Sequence, residues 1–369
     1  MSNCLHIAID PGFDSMKVVA NGKVFKFPFN AVETDERKIS DYGLRDDFIL
    51  YKDETGTTYR VGAYARELIF EGSEQGIESF YTEQRFISRE FVVGVRTAIA
   101  MAIDKLGLSM DGLEVKIIVA LPHACRVAYA STIVGSLVGE HRFEAQFGKN
   151  TRKEFCFTVG DENVHTVSQT IAAILGESSD SKGRIDEDKF KYLSDGPTLV
   201  LDGGYYTFGF VSVNRGGSVD DDKAESDTRH AMKNVYMAVA EAIADKRPDI
   251  KHYMMEHLIG QGGIVKYIDN GKAATIDLKA IKAEKVKEIC QSMIEYLNGK
   301  YNHLLDYNYV VVTGGTGAQF FKQMLAYYEK AGIMDKDHMI LTSAELDGKR
   351  HPIEYSIVIG AYKGLLGQE

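Results

Sequence analysis

Two aspartates, Asp10 and Asp202, stand at the ends of apolar runs, and each is followed within two residues by glycine. In the first run, Ile7-Ala8-Ile9-Asp10-Pro11-Gly12-Phe13-Asp14-Ser15-Met16-Lys17, a strand delivers an acid into a tight turn and a lysine onto the returning strand. In the second, Leu199-Val200-Leu201-Asp202-Gly203-Gly204-Tyr205-Tyr206-Thr207, the order of strand, acid and glycine recurs, as in an internal repeat. Such a turn can aim backbone N–H groups at phosphate oxygens, and it needs glycine because a side chain would hold the backbone away. Two facing carboxylates suit Mg²⁺, bound directly or through water, and the metal offsets both their repulsion and the charge of nucleotide phosphates. Lys17 adds a point charge at the β/γ end. A third strand end, Val310-Val311-Val312-Thr313-Gly314-Gly315-Thr316-Gly317, runs into glycines at a helix start and suits an adenosine and its α-phosphate.

Each piece alone is ordinary. An acid closely followed by glycine after a strand is usually only a turn, and two glycines between strand and helix occur in many α/β folds. The three together, in this order, favour a nucleotide site.

The elements that must position these turns follow from periodicity. Leu5 to Ile9, Met16 to Ala20 and Lys23 to Phe27 read as a three-strand meander, with Asn21-Gly22 as a type I′ turn. From about residue 28 to 90 the pattern weakens into short strands, Phe48 to Tyr51 and Tyr59 to Gly62, as in a small inserted subdomain. Phe91 to Leu106 reads as a helix stopped by Gly107, and Val115 to Leu121 as a buried strand ended by Pro122. Val167, Ile171, Ile174 and Leu175 form the apolar stripe of a helix ending near Gly176, with Gln169 roughly opposite and so able to face a cleft. A polar linker, Glu177 to Gly196, marks a domain crossing. The second half opens with strands Thr198 to Leu201 and Phe208 to Val213, continues with helices at Arg229 to Lys246 and Glu284 to Leu305, and closes with strand Tyr309 to Val312 and helices Ala318 to Glu329 and Ser356 to Leu366. Strands alternating with helices predict an α/β protein.

The 369 residues are 44% hydrophobic and 26% charged, enough for two medium domains. Cys4, Cys125, Cys156 and Cys290 are far apart and form no CxxC pair, so neither a disulfide framework nor a zinc site is indicated. A net charge of −10 argues against direct nucleic-acid binding, which draws on Lys and Arg releasing counterions. Met1, Ser2, Asn3 and Cys4 lead straight into the first apolar segment without a basic n-region or cleavage site, and no apolar run approaches the roughly 20 residues of a membrane span, so a cytoplasmic location is expected.

With these blocks in place, the chain resembles the actin, Hsp70 and sugar-kinase superfamily: phosphate-1 at residues 7 to 18, connect-1 at about 164 to 176, phosphate-2 at 199 to 213, adenosine at 310 to 321 and connect-2 at 356 to 367. Within it the chain is more similar to the ParM group of plasmid-segregation actins. The resemblance rests on Ala120-Leu121-Pro122 ending a strand, the short gap to phosphate-2, Gly314-Gly315, and the ending Ile359-Gly360-Ala361-Tyr362-Lys363-Gly364-Leu365-Leu366-Gly367. It implies an actin-like fold of two related RNase H-like domains around a nucleotide cleft. The first would span residues 1–176 with the insertion at about 28–90 and a return at 343–369, and the second residues 177–342.

The resemblance also implies roles. Asp10 and Asp202 would hold Mg²⁺ and its waters, Gly12, Phe13, Asp14 and Ser15 with Lys17, and Gly203, Gly204 and Thr207, would contact phosphates, and Gly314, Gly315 and Thr316 the adenosine side. Gln169 falls where actin has a glutamine, and ParM a glutamate, that orients the attacking water. Phe13 replaces a hydroxyl residue of many relatives, leaving only its backbone N–H for phosphate, and Asp14 adds a second acid that, if it faces the nucleotide, needs the metal or Lys17 nearby. Gly209 stands near where ParM has a later aspartate. The implied function is an ATP- or GTP-dependent polar filament, assembled head to tail and coupled to plasmid DNA by a ParR-like adaptor. The alternative is a small-molecule kinase of the same superfamily, for which no general base beyond the metal-site acids stands out. A membrane tether would need a terminal amphipathic helix, and neither end has one.

Overall fold

Strand alternation and turn chemistry shape the first elements of the computed structural model, which describes residues 3–36, 39, 46–66 and 83–368. By its contacts the chain divides into two units, Met1–Lys189 with Ser343–Glu369, and Phe190–Thr342. In the first, β1 (Cys4–Pro11), β2 (Ser15–Ala20) and β3 (Lys23–Pro28) form an antiparallel meander. Asn21 and Gly22 take φ of 43° and 78° between β2 and β3, the left-handed pair that such a two-residue turn demands. Then come β4 (Ala31–Glu33), β5 (Ile49–Asp53), β6 (Thr58–Val61) and α1 (Arg89–Leu106). Ser88 caps α1 by accepting the Phe91 N–H at 3.2 Å, and Gly107 at φ 65° stops it. The unit continues through β7 (Glu114–Leu121), α2 (His123–Leu137), β8 (Gly139–Phe147), β9 (Lys153–Val159), β10 (Val164–Ser168) and α3 (Gln169–Ser178).

The main sheet runs in the order β10-β7-β1-β2-β3, with β7 parallel to β1 and β10 parallel to β7. Its inner strands β1, β2 and β7 are buried on both faces, as crossover helices require, while the edge strand β3 is partly exposed. Leu5, Ile7 and Ile9 of β1 point into a core with Val95, Ala98 and Ile99 of α1, while Ala8 joins Ala172 and Ala173 of α3 on the other face.

The second unit repeats this plan. After the short α4 (Lys191–Ser194), β11 (Thr198–Gly203), β12 (Phe208–Val213) and β13 (Val219–Asp227) form the meander. α5 (Met232–Ala242), α6 (Met255–Gly260), the hairpin β14 (Ile264–Asp269) and β15 (Lys272–Asp277), and α7 (Leu278–Lys300) follow. β16 (Tyr309–Thr313), α8 (Gly314–Lys330) and β17 (Met339–Leu341) complete it. The order β13-β12-β11-β16-β17 matches the first sheet strand for strand, with β16 parallel to β11 and β17 parallel to β16. Leu199, Leu201, Val310 and Val312 meet Met293, Ile294 and Leu297 of α7 and Phe320 and Met324 of α8 in one core.

The chain returns to the first unit through α9 (Ser356–Leu366), which packs on α3. Gly360 makes this possible, since a Cβ there would overlap the Ala172 carbonyl oxygen and stand 2.9 Å from the Gly176 nitrogen. Lys363, buried, donates to the carbonyls of Gly176 at 2.7 Å and Ser179 at 3.0 Å, replacing partners that a helix end lacks.

Three sequence expectations change. The small sheet of the first unit has the order β4-β6-β5-β8-β9, so the segment at about 28–90 is not a self-contained insertion: β5 pairs with β8, borrowed from beyond residue 138. Residues 37, 38, 40–45 and 67–82 of that segment lie outside the described ones. Residues 177–189, assigned from sequence to the second half, belong to the first unit, where the Glu177 carboxylate accepts from the Ser343 amide and hydroxyl. Burial, opposed by those bonds, pushes the Glu177 carboxyl above its usual range. Finally, Val167 belongs to β10, and the packed face of α3 is the small-residue set Ala172, Ala173 and Gly176 with Ile174, not the larger stripe.

Among the described residues no helix is long and apolar enough to cross a membrane. None of the four cysteines takes part in a disulfide.

Candidate functional site

In the first turn, antiparallel pairing of β1 and β2 sets Asp10 directly opposite Lys17. The Asp10 side chain is 2% exposed, and its two oxygens are both engaged. Oδ2 accepts from Lys17 Nζ at 3.0 Å, and Oδ1 accepts from Gln169 Nε2 at 2.7 Å. Both acceptor atoms of this buried carboxylate are thus satisfied, one by a cation and one by an amide. Gln169 reaches it as the first residue of α3, not from the middle of a helix as the stripe suggested. Its carboxamide is the side chain compatible with that contact, since a glutamate there would set two carboxylates against each other.

Gly12 has little room: a Cβ would stand 3.0 Å from Lys17 Nζ and 3.1 Å from the Ser15 carbonyl. The Phe13 ring turns inward, edge-on to Phe86 at 6.2 Å, so the residue offers the turn only its backbone. Asp14 pairs with Arg66 at 3.0 Å, a cation other than the metal or Lys17 that was expected beside it. Arg66 also donates to the Asp14 carbonyl and to Asn30 Oδ1. Ser15 is buried at the start of β2. Arg66 and Arg85, both in contact with this turn, escaped the sequence analysis; only a surplus of arginines in a weakly patterned segment could have flagged them.

In the second turn Asp202 pairs in register with Gly209, the position that carries Lys17 in the first turn. No side chain reaches Asp202 from that residue. Gly203 is required by close approach, because a Cβ would overlap the Gly317 nitrogen and lie 2.8 Å from its Cα. Gly314, at φ 78°, adopts a left-handed conformation, and a Cβ there would overlap the Gly203 carbonyl and stand 2.9 Å from Asp202 Oδ1. The third glycine motif is thus welded to the second turn. Thr316, 2% exposed, donates to the Gly204 carbonyl at 2.6 Å, so its hydroxyl braces the turn. The Gly204 N–H closes the turn on the Thr207 carbonyl at 2.9 Å. Gly315 faces open space and leaves the start of α8 accessible. Gly315→Ala should leave the thermal midpoint unchanged to within about 2 °C, and a larger drop by differential scanning fluorimetry would show that the position is needed for packing.

A separate group has the order of a hydrolytic triad. His230 Nδ1 donates to Asp227 Oδ2 at 2.6 Å, and Ser292 Oγ lies 3.2 Å from His230 Nε2. Burial holds the imidazole below the usual histidine range against the pull of Asp227, so it is neutral near pH 7. Burial alone would raise Asp227, but hydrogen bonds from Arg229 and His230 outweigh it and lower its carboxyl. Ser292 lies inside α7, whose N–H groups are spent on the helix ladder, so the helix backbone offers its hydroxyl no oxyanion donor. The group braces β13 against α7.

Asp10 and Asp202 offer hard carboxylate oxygens, which suit Mg²⁺. Among the described residues no three or more His, Cys, Asp or Glu side chains gather as a metal site. Mg²⁺ tolerates this, since it keeps several waters and takes phosphate oxygens when bound with a nucleotide. With both its oxygens engaged, Asp10 would address such an ion through water.

No protein-family model and no curated protein matches the sequence. Solved structures do match. The actin-like protein Alp7A aligns with a TM-score of 0.71 at 13% identity, over 99% of this chain and 97% of that one. A ParM from a 15-stranded filament of Clostridium botulinum aligns at 0.68 and 19% identity, over 97% and 98%. A Bacillus thuringiensis ParM with ATP aligns at 0.63 and 14%, over 98% and 97%. The chain therefore has the actin-like fold, in the form shared by ParM and related actin homologues. Full coverage on both sides extends that likeness to the whole chain, and at these identities it is a likeness of fold.

Proposed function

We propose that the chain is a nucleotide-driven filament protein that binds ATP, or GTP, with Mg²⁺, assembles head to tail, hydrolyses the nucleotide and disassembles. The observation that carries this reading is the Asp10 carboxylate, buried at a strand end and held at once by Lys17 and Gln169. A charge set in this way beside a glycine turn serves phosphate chemistry better than it serves stability, because burying an ion pair returns little net free energy. Each sheet, a meander continued by two parallel strands, is on this reading one RNase H-like half of an actin-like NTPase.

The roles follow from the geometry within each turn. Gly12 to Ser15 present backbone to phosphate oxygens, Lys17 supplies positive charge beside them, and Gly203, Gly204 and Thr207 do the same from the second turn. Gly315, at the start of α8, is open to a ligand on the adenosine side. Bound Mg²⁺ would neutralise charge on the phosphates, with Asp10 and Asp202 holding it and its waters. Gln169, oriented by its bond to Asp10, places the attacking water. One head-to-tail contact that does not close yields an open filament, and the ParM filament and the ATP-bound ParM among the similar structures support this assembly and ligand. In a cell it would act in the cytoplasm, with a ParR-like adaptor joining the filament end to plasmid DNA and no direct contact of its own with nucleic acid or membrane.

Ultracentrifugal pelleting with ATP, GTP and their diphosphates tests the reading. Triphosphate-dependent polymer is expected; no polymer, together with phosphorylation of a small acceptor, would replace it with the kinase. Gln169→Ala should separate assembly from turnover. It leaves Lys17, both aspartates and the glycine turns in place, but misplacing the water should slow hydrolysis on the order of 100-fold. Polymer followed by light scattering should form and persist while phosphate release falls; disassembly at the wild-type rate would remove Gln169 from the mechanism.

A further inference from the structure

Arg85 lies behind the first turn, on a short 3₁₀ segment (Glu83–Ile87), and is 7% exposed. Its guanidinium donates to two successive carbonyls of the turn, Gly12 and Phe13, each at 3.3 Å. It is flanked by aromatic faces, 4.0 Å from the Phe29 ring centroid and 4.9 Å from that of Phe13. The Arg85 carbonyl accepts from the Ser88 hydroxyl at 2.9 Å, and that same hydroxyl caps α1. The arginine is thus fixed to the start of a buried helix.

The consequence comes from peptide geometry. In a planar trans peptide the C=O of one residue and the N–H of the next point in opposite directions. Drawing the Gly12 and Phe13 carbonyls onto one guanidinium therefore turns the N–H groups of Phe13 and Asp14 away from it, side by side. Two adjacent N–H groups facing one way form an anion-binding concavity. A cation on the carbonyl side also polarises each peptide and strengthens its N–H as a donor. The next carbonyl, of Asp14, is held by Arg66. The second turn uses the same device with neutral donors: the Gly204 carbonyl accepts from Thr316 at 2.6 Å, and the Tyr205 carbonyl from the Lys233 N–H at 2.8 Å.

We propose that Arg85 is a positioning residue for the terminal phosphates of a bound nucleoside triphosphate, acting through the Phe13 and Asp14 amides without touching the ligand itself. This rests on the nucleotide reading of the first turn. It explains how the turn can accept phosphate with phenylalanine in place of a hydroxyl residue: donors are supplied by the backbone and aimed from behind.

The test is calorimetric titration of wild type, Arg85→Met and Arg85→Lys with ATP, ADP and adenosine, each with a urea unfolding curve. Arg85→Met should weaken ATP binding roughly 10- to 100-fold, the worth of one or two misaimed hydrogen bonds to a charged group, and leave adenosine binding unchanged. Arg85→Lys, which keeps the charge but loses the planar fork, should fall between, and it decides the matter if Arg85→Met does not fold. ATP affinity at the wild-type level in either folded variant, or equal losses for ATP and adenosine, would overturn the positioning role. A wild-type protein that bound no triphosphate would instead overturn the nucleotide reading and take this proposal with it.

Discussion

Asp10→Ala is expected to lower affinity for the magnesium complex of ATP by about 100-fold, the upper range for losing a group that holds a metal's waters, and to abolish assembly at ordinary nucleotide concentrations. Three effects coincide at one atom group. On the proposed reading the metal loses an acid that positions it, while Lys17 loses the carboxylate 3.0 Å from its ammonium and Gln169 the acceptor 2.7 Å from its amide. Lys17, with a side chain only 16% exposed, would then swing toward phosphate or solvent, and a freed Gln169 would no longer be pre-aimed. Asp10→Asn separates these terms, since its carbonyl oxygen can still accept from Gln169 while the charge facing Lys17 is gone. Titration with ATP in magnesium and in EDTA checks the result. Retained magnesium-dependent affinity and normal polymer in Asp10→Ala would show that the metal is held elsewhere.

Gly360→Ala should destabilise the first unit strongly for a single added methyl. The new Cβ would overlap the Ala172 carbonyl oxygen and stand 2.8 Å from that carbonyl's carbon and 2.9 Å from the Gly176 nitrogen, all backbone. No flexible side chain is there to yield, so α3 and α9 must separate. Overpacking of a buried contact costs about 1–3 kcal/mol, and a backbone clash falls at the top of that range. In a unit of this size roughly 3 kcal/mol lowers the thermal midpoint by about 6–12 °C. Because Gln169 begins α3, the same substitution should also shift Gln169 from Asp10, so hydrolysis should suffer along with stability. Scanning calorimetry with a parallel phosphate-release assay would detect both; a midpoint within about 2 °C of wild type would mean that the two helices are less closely apposed than described. Gly364→Ala, whose Cβ would meet only the Leu175 Cδ1 at 3.2 Å, serves as the milder control.

Much of this protein was legible because short-range chemistry writes it. Asn21-Gly22 forced the hairpin of β2 and β3, the glycine-containing turn before it set Asp10 opposite Lys17, and the matching run ending in Asp202-Gly203 revealed the repeat that the two strand orders now display. Apolar runs such as Val115 to Leu121 and Val310 to Val312 are long enough, and end abruptly enough, to be strands buried on both faces. What the sequence left open depends on residues distant along the chain. β8 joins β5 at a separation of about ninety residues and carries β9 with it, and pairing at that range leaves no local signature beyond alternation. The packed face of α3 was misjudged because periodicity scores large side chains, whereas close approach of α9 selects small ones, Ala172, Ala173 and Gly176 against Gly360.

The sequence by itself determined the glycine turns, the acids that precede them and the doubled α/β plan, because backbone conformation and hydrophobic period act between neighbours. Only the tertiary structure decided which side chains meet those turns. Gln169 reaches Asp10 across 159 residues of chain, and Arg85 reaches the Gly12 and Phe13 carbonyls across 73 and 72. Such contacts are made by packing of whole elements, and nothing in the spacing of residues along the chain records them.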